Sequence, residues 1–135
     1  MELQVGVKIL LKNPEGNYLL LHRNTEKYKD IKGEWDIVGG RIDPGSPLLE
    51  NLQREVKEET GMDYAGVPKL IAAQDILRVP GRHVVRLTYI GEIEGEPKLN
   101  DESVEYKWFT FEELKELDEL DMYLAELFEQ GIFKE

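Results

Sequence analysis

The chain has 135 residues, a size that suits one domain with its own core, and its 41% hydrophobic and 33% charged residues give a globular balance. A net charge of −11 argues against a nucleic-acid backbone as partner, since such binders need a basic surface to displace counterions. The lack of cysteine excludes disulfides, thiolate metal sites and cysteine nucleophiles.

The opening MELQVGVKILLKN has no basic segment running into a long apolar stretch with a small-residue cleavage site. No apolar run approaches the roughly 18 residues of a membrane span, so a cytoplasmic location is expected. Leu3, Val5, Val7, Ile9 and Leu11 alternate with strand period, and Asn13-Pro14-Glu15-Gly16 makes a turn into a second apolar run, residues 18–21. This pattern predicts a hairpin. Residues 24–34 are polar, with Lys27, Tyr28, Lys29 and Lys32, and form a loop placed to close over a ligand before Trp35-Asp36-Ile37-Val38 leads into Gly39 and Gly40.

A helix is expected over residues 47–60, with the Ser46 hydroxyl as N-cap, Pro47 at the first helical position, and Gly61 ending it in left-handed geometry. Its apolar stripe is Leu49, Leu52 and Val56. Strands are expected over 70–77 and 83–93, joined by Val79-Pro80-Gly81-Arg82, whose Pro and Gly suit the centre of a type II turn. An acidic loop over 94–103 precedes a strand at 104–109, and helices are expected over 111–117 and 120–130, the second closed by Gly131. Strands on both sides of a central helix, with further helices at the end, describe an α/β layered domain.

The central helix carries Glu55, Glu58 and Glu59 on one turn, within an arc of roughly 100°. Like charges at i,i+4 cost a helix about 0.2–0.5 kcal/mol, and acids near its C-terminus oppose the macrodipole. A solvated acidic face in a Glu-rich chain is one reading of the pattern. The other is a seat for a hard divalent cation such as magnesium, which seeks carboxylate oxygens and keeps waters and substrate phosphates in its shell.

The segment GGRIDPGSPLLENLQREVKEETGM resembles the Nudix box: Gly40, Arg54, Glu55, Val56, Glu58, Glu59, Gly61 and Met62 all fall in register with the family pattern. One position departs, because Ser46 stands where the family places its first Glu. The resemblance implies a Nudix-type α/β/α sandwich around a mixed β-sheet, with residues 1–135 as a single Nudix hydrolase domain. It further implies magnesium- or manganese-dependent hydrolysis of a pyrophosphate bond in a nucleoside diphosphate linked to another moiety, with Glu55, Glu58, Glu59 and the Gly40 carbonyl as metal ligands. Such a substrate is a small nucleotide or nucleotide-sugar, and the family is compatible with a homodimer. The alternative is a non-catalytic Nudix-fold module that binds a nucleotide, the reading favoured by Ser46.

Arg54 lies about 40° around the helix from Glu58, near enough to orient it, and four residues after Glu50, a favourable pair. In the family the general base is a box Glu or a later one, and Glu105 is the best later candidate here, with Glu102 its rival. Glu105 and Lys107 should share one strand face, Tyr106 and Trp108 the other. For substrate contacts, Arg23 suits a phosphate as a bidentate fork. Trp35 either stacks on a base or fills the core, the core being favoured. Arg82, His83 and Arg86 form the concentrated basic patch of this acidic chain, with Arg86 and His83 on one face only if a bulge intervenes. Substrate choice is expected to rest on segments 24–34 and 78–86.

Overall fold

In the computed structural model, which describes residues 1–24 and 35–134, ten elements form in the order β1 (Glu2–Lys12), β2 (Tyr18–Arg23), β3 (Trp35–Asp36), β4 (Val38–Arg41), α1 (Leu48–Thr60), β5 (Lys69–Ile76), β6 (Arg82–Glu92), β7 (Ser103–Phe109), α2 (Phe111–Glu116) and α3 (Met122–Glu129). The polar loop expected over residues 24–34 lies, apart from Asn24, outside the described residues.

The alternating N-terminal segment is the centre of a seven-stranded mixed sheet. On one side β1 runs parallel to β6, from Glu2 opposite Arg82 to Lys12 opposite Glu92. Its other side is shared: β4 pairs antiparallel along Gly6 to Ile9, and β2 takes over at Leu11 and Lys12. Beyond them β2 pairs with β3 and β7, while β5 covers the far side of β6. The turn into β6 has the expected form, with the Arg82 N–H on the Val79 carbonyl at 3.1 Å and Gly81 at φ 77°.

Strand alternation sorts the core into two layers. Val7, Ile9, Leu11, Leu19, Leu21 and Val38 pack under α1 through Leu52 and Val56, whereas Leu10, Leu20 and Ile37 pack under α3 through Leu124 and Leu127. The α/β/α sandwich is thereby realised. Tyr123, Leu124 and Leu127 of α3 are buried, and Phe128 stacks on Phe133 at 4.9 Å, so the apolar C-terminal helix serves the core. Among the described residues no helix is long and apolar enough to cross a membrane.

Two local expectations for the box helix change. Pro47, extended at φ −62° and ψ 153°, is itself the N-cap, and no side chain caps α1. With Pro47 extended at the cap position, Ser46 falls one residue outside the helix, and its own N–H instead closes a turn on the Asp43 carbonyl at 3.0 Å. The apolar stripe also starts later, because Leu49 in the first turn stays 41% exposed and docking begins at Leu52. The C-terminus behaves as expected, with Gly61 left-handed at φ 71° and its N–H on the Lys57 carbonyl. At the end of the chain, α3 starts at Met122 because the Asp121 carboxylate caps the Tyr123 and Leu124 N–H groups, both at 3.1 Å.

Candidate active site

The box helix docks so that its carboxylates divide. Glu55 and Glu59 are buried against the β4 backbone, whereas the Glu58 side chain is 53% exposed and leans on Arg54 at 3.3 Å. Glu59 Oε2 accepts the Gly39 N–H at 3.0 Å. A Cβ on Gly40 would sit 2.5 Å from Glu55 Oε1, so the absence of a side chain there is what lets the carboxylate reach the strand. Gly39, at φ 151°, is equally constrained, since its Cβ would collide with the Val7 carbonyl.

Burial pushes the Glu59 carboxyl up to about 9; Lys8 and the Gly39 N–H oppose this, and the adjoining Glu55 reinforces it. Two buried carboxylates side by side hold a proton between them or a cation. The donors are all hard oxygens, which fits a magnesium- or manganese-like ion and excludes a soft one. Among the described residues no ready cluster of three ligating side chains forms, because Glu58 is turned toward Arg54.

Arg54 organises the segment before the helix. Its guanidinium reaches Glu55 Oε1 at 3.0 Å, the Arg41 carbonyl at 3.1 Å, Asp43 at 3.5 Å and Asn51 Oδ1 at 2.9 Å. The pairing with Glu50 expected from spacing does not form among these contacts. Asn51, fully buried, is the residue that sequence reasoning missed: its Oδ1 also accepts the Asp43 N–H at 3.0 Å, and its Nδ2 donates to the Ser46 and Pro47 carbonyls at 3.0 and 2.7 Å. The loop is braced from the helix instead of from position 46. A buried amide one turn before Arg54 in an otherwise apolar stripe was the available signal.

Glu55, Glu59, Gly39 and Gly40 form one wall of a cleft of about 400 Å³, also lined by Lys8, Arg23, Arg41, Arg78, Arg86, Glu102, Asp121 and Tyr123. The cations at its floor are already matched. Arg86, with its side chain 4% exposed, contacts Asp36 Oδ1 at 3.1 Å and Asp121 Oδ2 at 3.2 Å, under the Tyr123 ring at 5.7 Å. Arg23 pairs with Asp36 and, at 3.3 Å, with Asp121; Lys8 meets Asp36 at 3.0 Å and donates to the Ile37 carbonyl at 3.1 Å. Burial works against the Asp36 charge, but Arg86, Lys8 and Arg23 outweigh it and hold the carboxyl far below its ordinary range. Burial and Asp36 push Asp121 up, against the same cations.

The sequence-predicted substrate residues therefore sit as follows. Arg23 and Arg86 belong to this ion network, and Arg86 shares no face with His83, because β6 runs without a bulge there and His83 turns out to Asp75 at 2.7 Å. Trp35 packs edge-on to His22 and Phe109 at 4.9 and 5.1 Å in the layer under α3.

A NUDIX domain family model matches residues 2–130. The chain belongs to the Nudix family. It is 30% identical over 108 residues to an ADP-ribose pyrophosphatase of Methanocaldococcus jannaschii, covering 76% of this chain and 60% of the relative. An RNA pyrophosphohydrolase of Bartonella bacilliformis is 27% identical over 121 residues, covering 85% and 64% respectively. A MutT protein from Methanosarcina mazei Go1 superposes with TM-score 0.80 at 26% identity, over 95% of this chain and 91% of that one. The chain spans from 12% to 64% of the length of the curated relatives mentioned or matched first. Against the Nudix expectation of a later general base, Glu105 and Glu102 separate. Glu105 pairs opposite His22 on the sheet face away from α1, while Glu102 lines the cleft, its carbonyl fixed by the Asn24 N–H at 3.0 Å.

Proposed function

We propose that this Nudix domain, residues 1–135, hydrolyses the pyrophosphate bond of a nucleoside diphosphate linked to another moiety, with magnesium or manganese, in the cytoplasm. The observation that carries the reading is the buried Glu55 and Glu59 pair, which among the described residues has no ion pair except that of Glu55 with Arg54, lining with Gly40 a cleft rich in cations. Glu55, Glu59 and the Gly40 carbonyl would hold the metal, joined by Glu58 once it swings off Arg54. Held there, such an ion would supply charge neutralisation for phosphate oxygens and a more acidic water.

The chain's own groups do the rest. Arg54 holds Glu55 and keeps Glu58 within reach of the cleft. Glu102, on the segment before β7, takes the proton of the attacking water, a role its place in the cleft supports better than that of Glu105. Arg23 orients the phosphates from the cleft wall while its other contacts anchor it to Asp36. Net charge −11 favours a small nucleotide over a nucleic-acid chain as the partner.

The test is product release from nucleoside triphosphates, ADP-ribose, nucleotide-sugars and dinucleoside polyphosphates with magnesium or manganese, and EDTA as control. Metal-dependent cleavage of one class is expected. Metal-dependent nucleotide binding without cleavage would instead support a non-catalytic binding module.

A further inference from the structure

The chain has six arginines among 28 acidic residues, and they fall into two groups. Arg23, Arg54 and Arg86 are each paired with carboxylates. Arg41, Arg78 and Arg82 make no ion pair within 4.0 Å among the described residues, although the chain has an 11-charge acidic excess to draw on. Leaving them unpaired is a feature of the fold, not a shortage of partners.

Arg41 and Arg78 share the cleft, and Arg82 adjoins Arg41 outside its lining. Arg41 follows directly on Gly40 and lines the cleft with Arg78. Its side-chain stem lies over Gly6, whose Cβ would be 3.9 Å from Arg41 Cδ, and its guanidinium donates to a neutral acceptor, Gln4 Oε1. Arg82 starts β6 opposite Glu2, at the end of β1 nearer Gly6, and adjoins Arg41 closely enough that burial and the Arg82 charge together weaken the hold of Arg41 on its proton, with Glu2 opposing. Arg78 and Arg82 flank the turn at Pro80 and Gly81. Like charges held together at the mouth of a cleft raise the local concentration of anions and steer them in.

We propose that Arg41, Arg78 and Arg82 form a subsite for phosphates beyond the pyrophosphate itself, so that the substrate is a linear oligophosphate, either a nucleoside 5′-triphosphate or a dinucleoside polyphosphate, in preference to a diphosphate joined to a neutral sugar. The assignment rests on the hydrolase reading above. At the cleft floor the cations are matched by Asp36 and Asp121, and the box carboxylates serve the bond to be cleaved. A neutral sugar would leave the three mouth arginines repelling one another. An additional phosphate accepts the planar guanidinium forks bidentately and removes the repulsion.

The test separates the subsite from the chemistry. Inorganic tripolyphosphate and pyrophosphate are titrated calorimetrically, with magnesium, into the wild type and into the combined Arg41→Gln, Arg78→Gln, Arg82→Gln variant. Tripolyphosphate should bind the wild type roughly tenfold more tightly than pyrophosphate, and the combined variant should lose that preference. Equal binding by the wild type, or a preference that survives in the variant, overturns the subsite. Should the combined variant fail to fold by circular dichroism, the single changes at exposed Arg78 and half-buried Arg82, Arg78→Gln and Arg82→Gln, carry the test, each expected to cut the preference about threefold.

In turnover, the ratio of kcat/KM for a nucleoside triphosphate to that for ADP-ribose should fall about tenfold in the combined variant, through KM. A wild type that prefers tripolyphosphate but cleaves nothing overturns the hydrolase reading and keeps the subsite. A wild type that cleaves but shows no preference does the reverse.

Discussion

Two buried charge clusters lie a few residues apart along the same cleft and are built on opposite principles. In the first, Asp36 and Asp121 are surrounded by Lys8, Arg23 and Arg86, so the chain supplies every counter-charge itself. In the second, Glu55 and Glu59 lie side by side with Arg54 on only one of them. The first cluster ties β1, β2, β3, β6 and the start of α3 together. The second is left unbalanced by the chain's own cations, and either a shared proton or a bound cation would complete it. Buried charge by itself thus says little about function; what matters is whether the fold has already balanced it.

The largest effect should come from unbalancing the first cluster. Arg86→Met leaves Asp36 and Asp121 buried short of a partner, and should cost about 3–5 kcal/mol. Thermal unfolding should then fall by on the order of 10 °C. Asp36→Asn should cost a similar amount at neutral pH, with a distinctive pH dependence. The folded Asp36 carboxyl is held below its unfolded value of 3.8, so its stabilisation is complete above that value and is lost as pH falls toward the folded one. The stability gap between wild type and Asp36→Asn should therefore be constant from about pH 5 to 8 and narrow below about pH 4. A gap that widens in acid would contradict the charge assignment.

Breaking the second cluster should do the opposite to the fold. Glu59→Gln removes a carboxylate whose ionised form is disfavoured by burial, so the metal-free protein should unfold at the same temperature or higher. Its kcat should drop on the order of 10²- to 10³-fold. The stabilisation against unfolding that excess magnesium gives the wild type, about 2.7 kcal/mol at 100 times Kd, should shrink in parallel. Loss of fold in Glu59→Gln would place it with the structural cluster.

Smaller effects sharpen the boundary between the clusters. Asn51→Ala removes the link among Asp43, Ser46, Pro47 and Arg54 and should cost about 1–3 kcal/mol, with activity falling because Arg54 loosens. Ser46→Glu should change kcat by less than about threefold, since Asn51 and Asp43 already hold the loop. A tenfold rise would show that Arg54 is under-supported.

The architecture was readable from the chain because it rests on local rules. The period-2 run at Leu3 to Leu11, the Pro80-Gly81 turn and Gly61 each act through their own backbone, and each falls where expected. The clustering of the box residues was readable for another reason: helical spacing alone puts Glu55 and Glu59 on one side of one helix, and the structure buries both there. What stayed hidden depends on pairs distant in sequence. Asp36 and Arg86 are fifty residues apart, and Asp121 is thirty-five farther still, so no window contains the ion network that anchors Arg23 and Arg86 at the cleft. The separation of Glu102 from Glu105 was hidden for a similar reason, since strand alternation gives two faces but only the register of β7 on β2 tells which lies away from α1.

The parallel ladder between β1 and β6 also has a consequence in time. Glu2 finds its partner at Arg82, so β1 waits for the synthesis of β6 before that edge is covered. Closing so long a loop is entropically slow, which places this domain among those whose folding is governed by distant contacts. β4 and α1 can settle on β1 early, whereas Arg86 arrives only with β6. During synthesis Asp36 is therefore exposed without its main partner, and substitutions along β6 should be felt first as slow, aggregation-prone folding and only then as lost equilibrium stability.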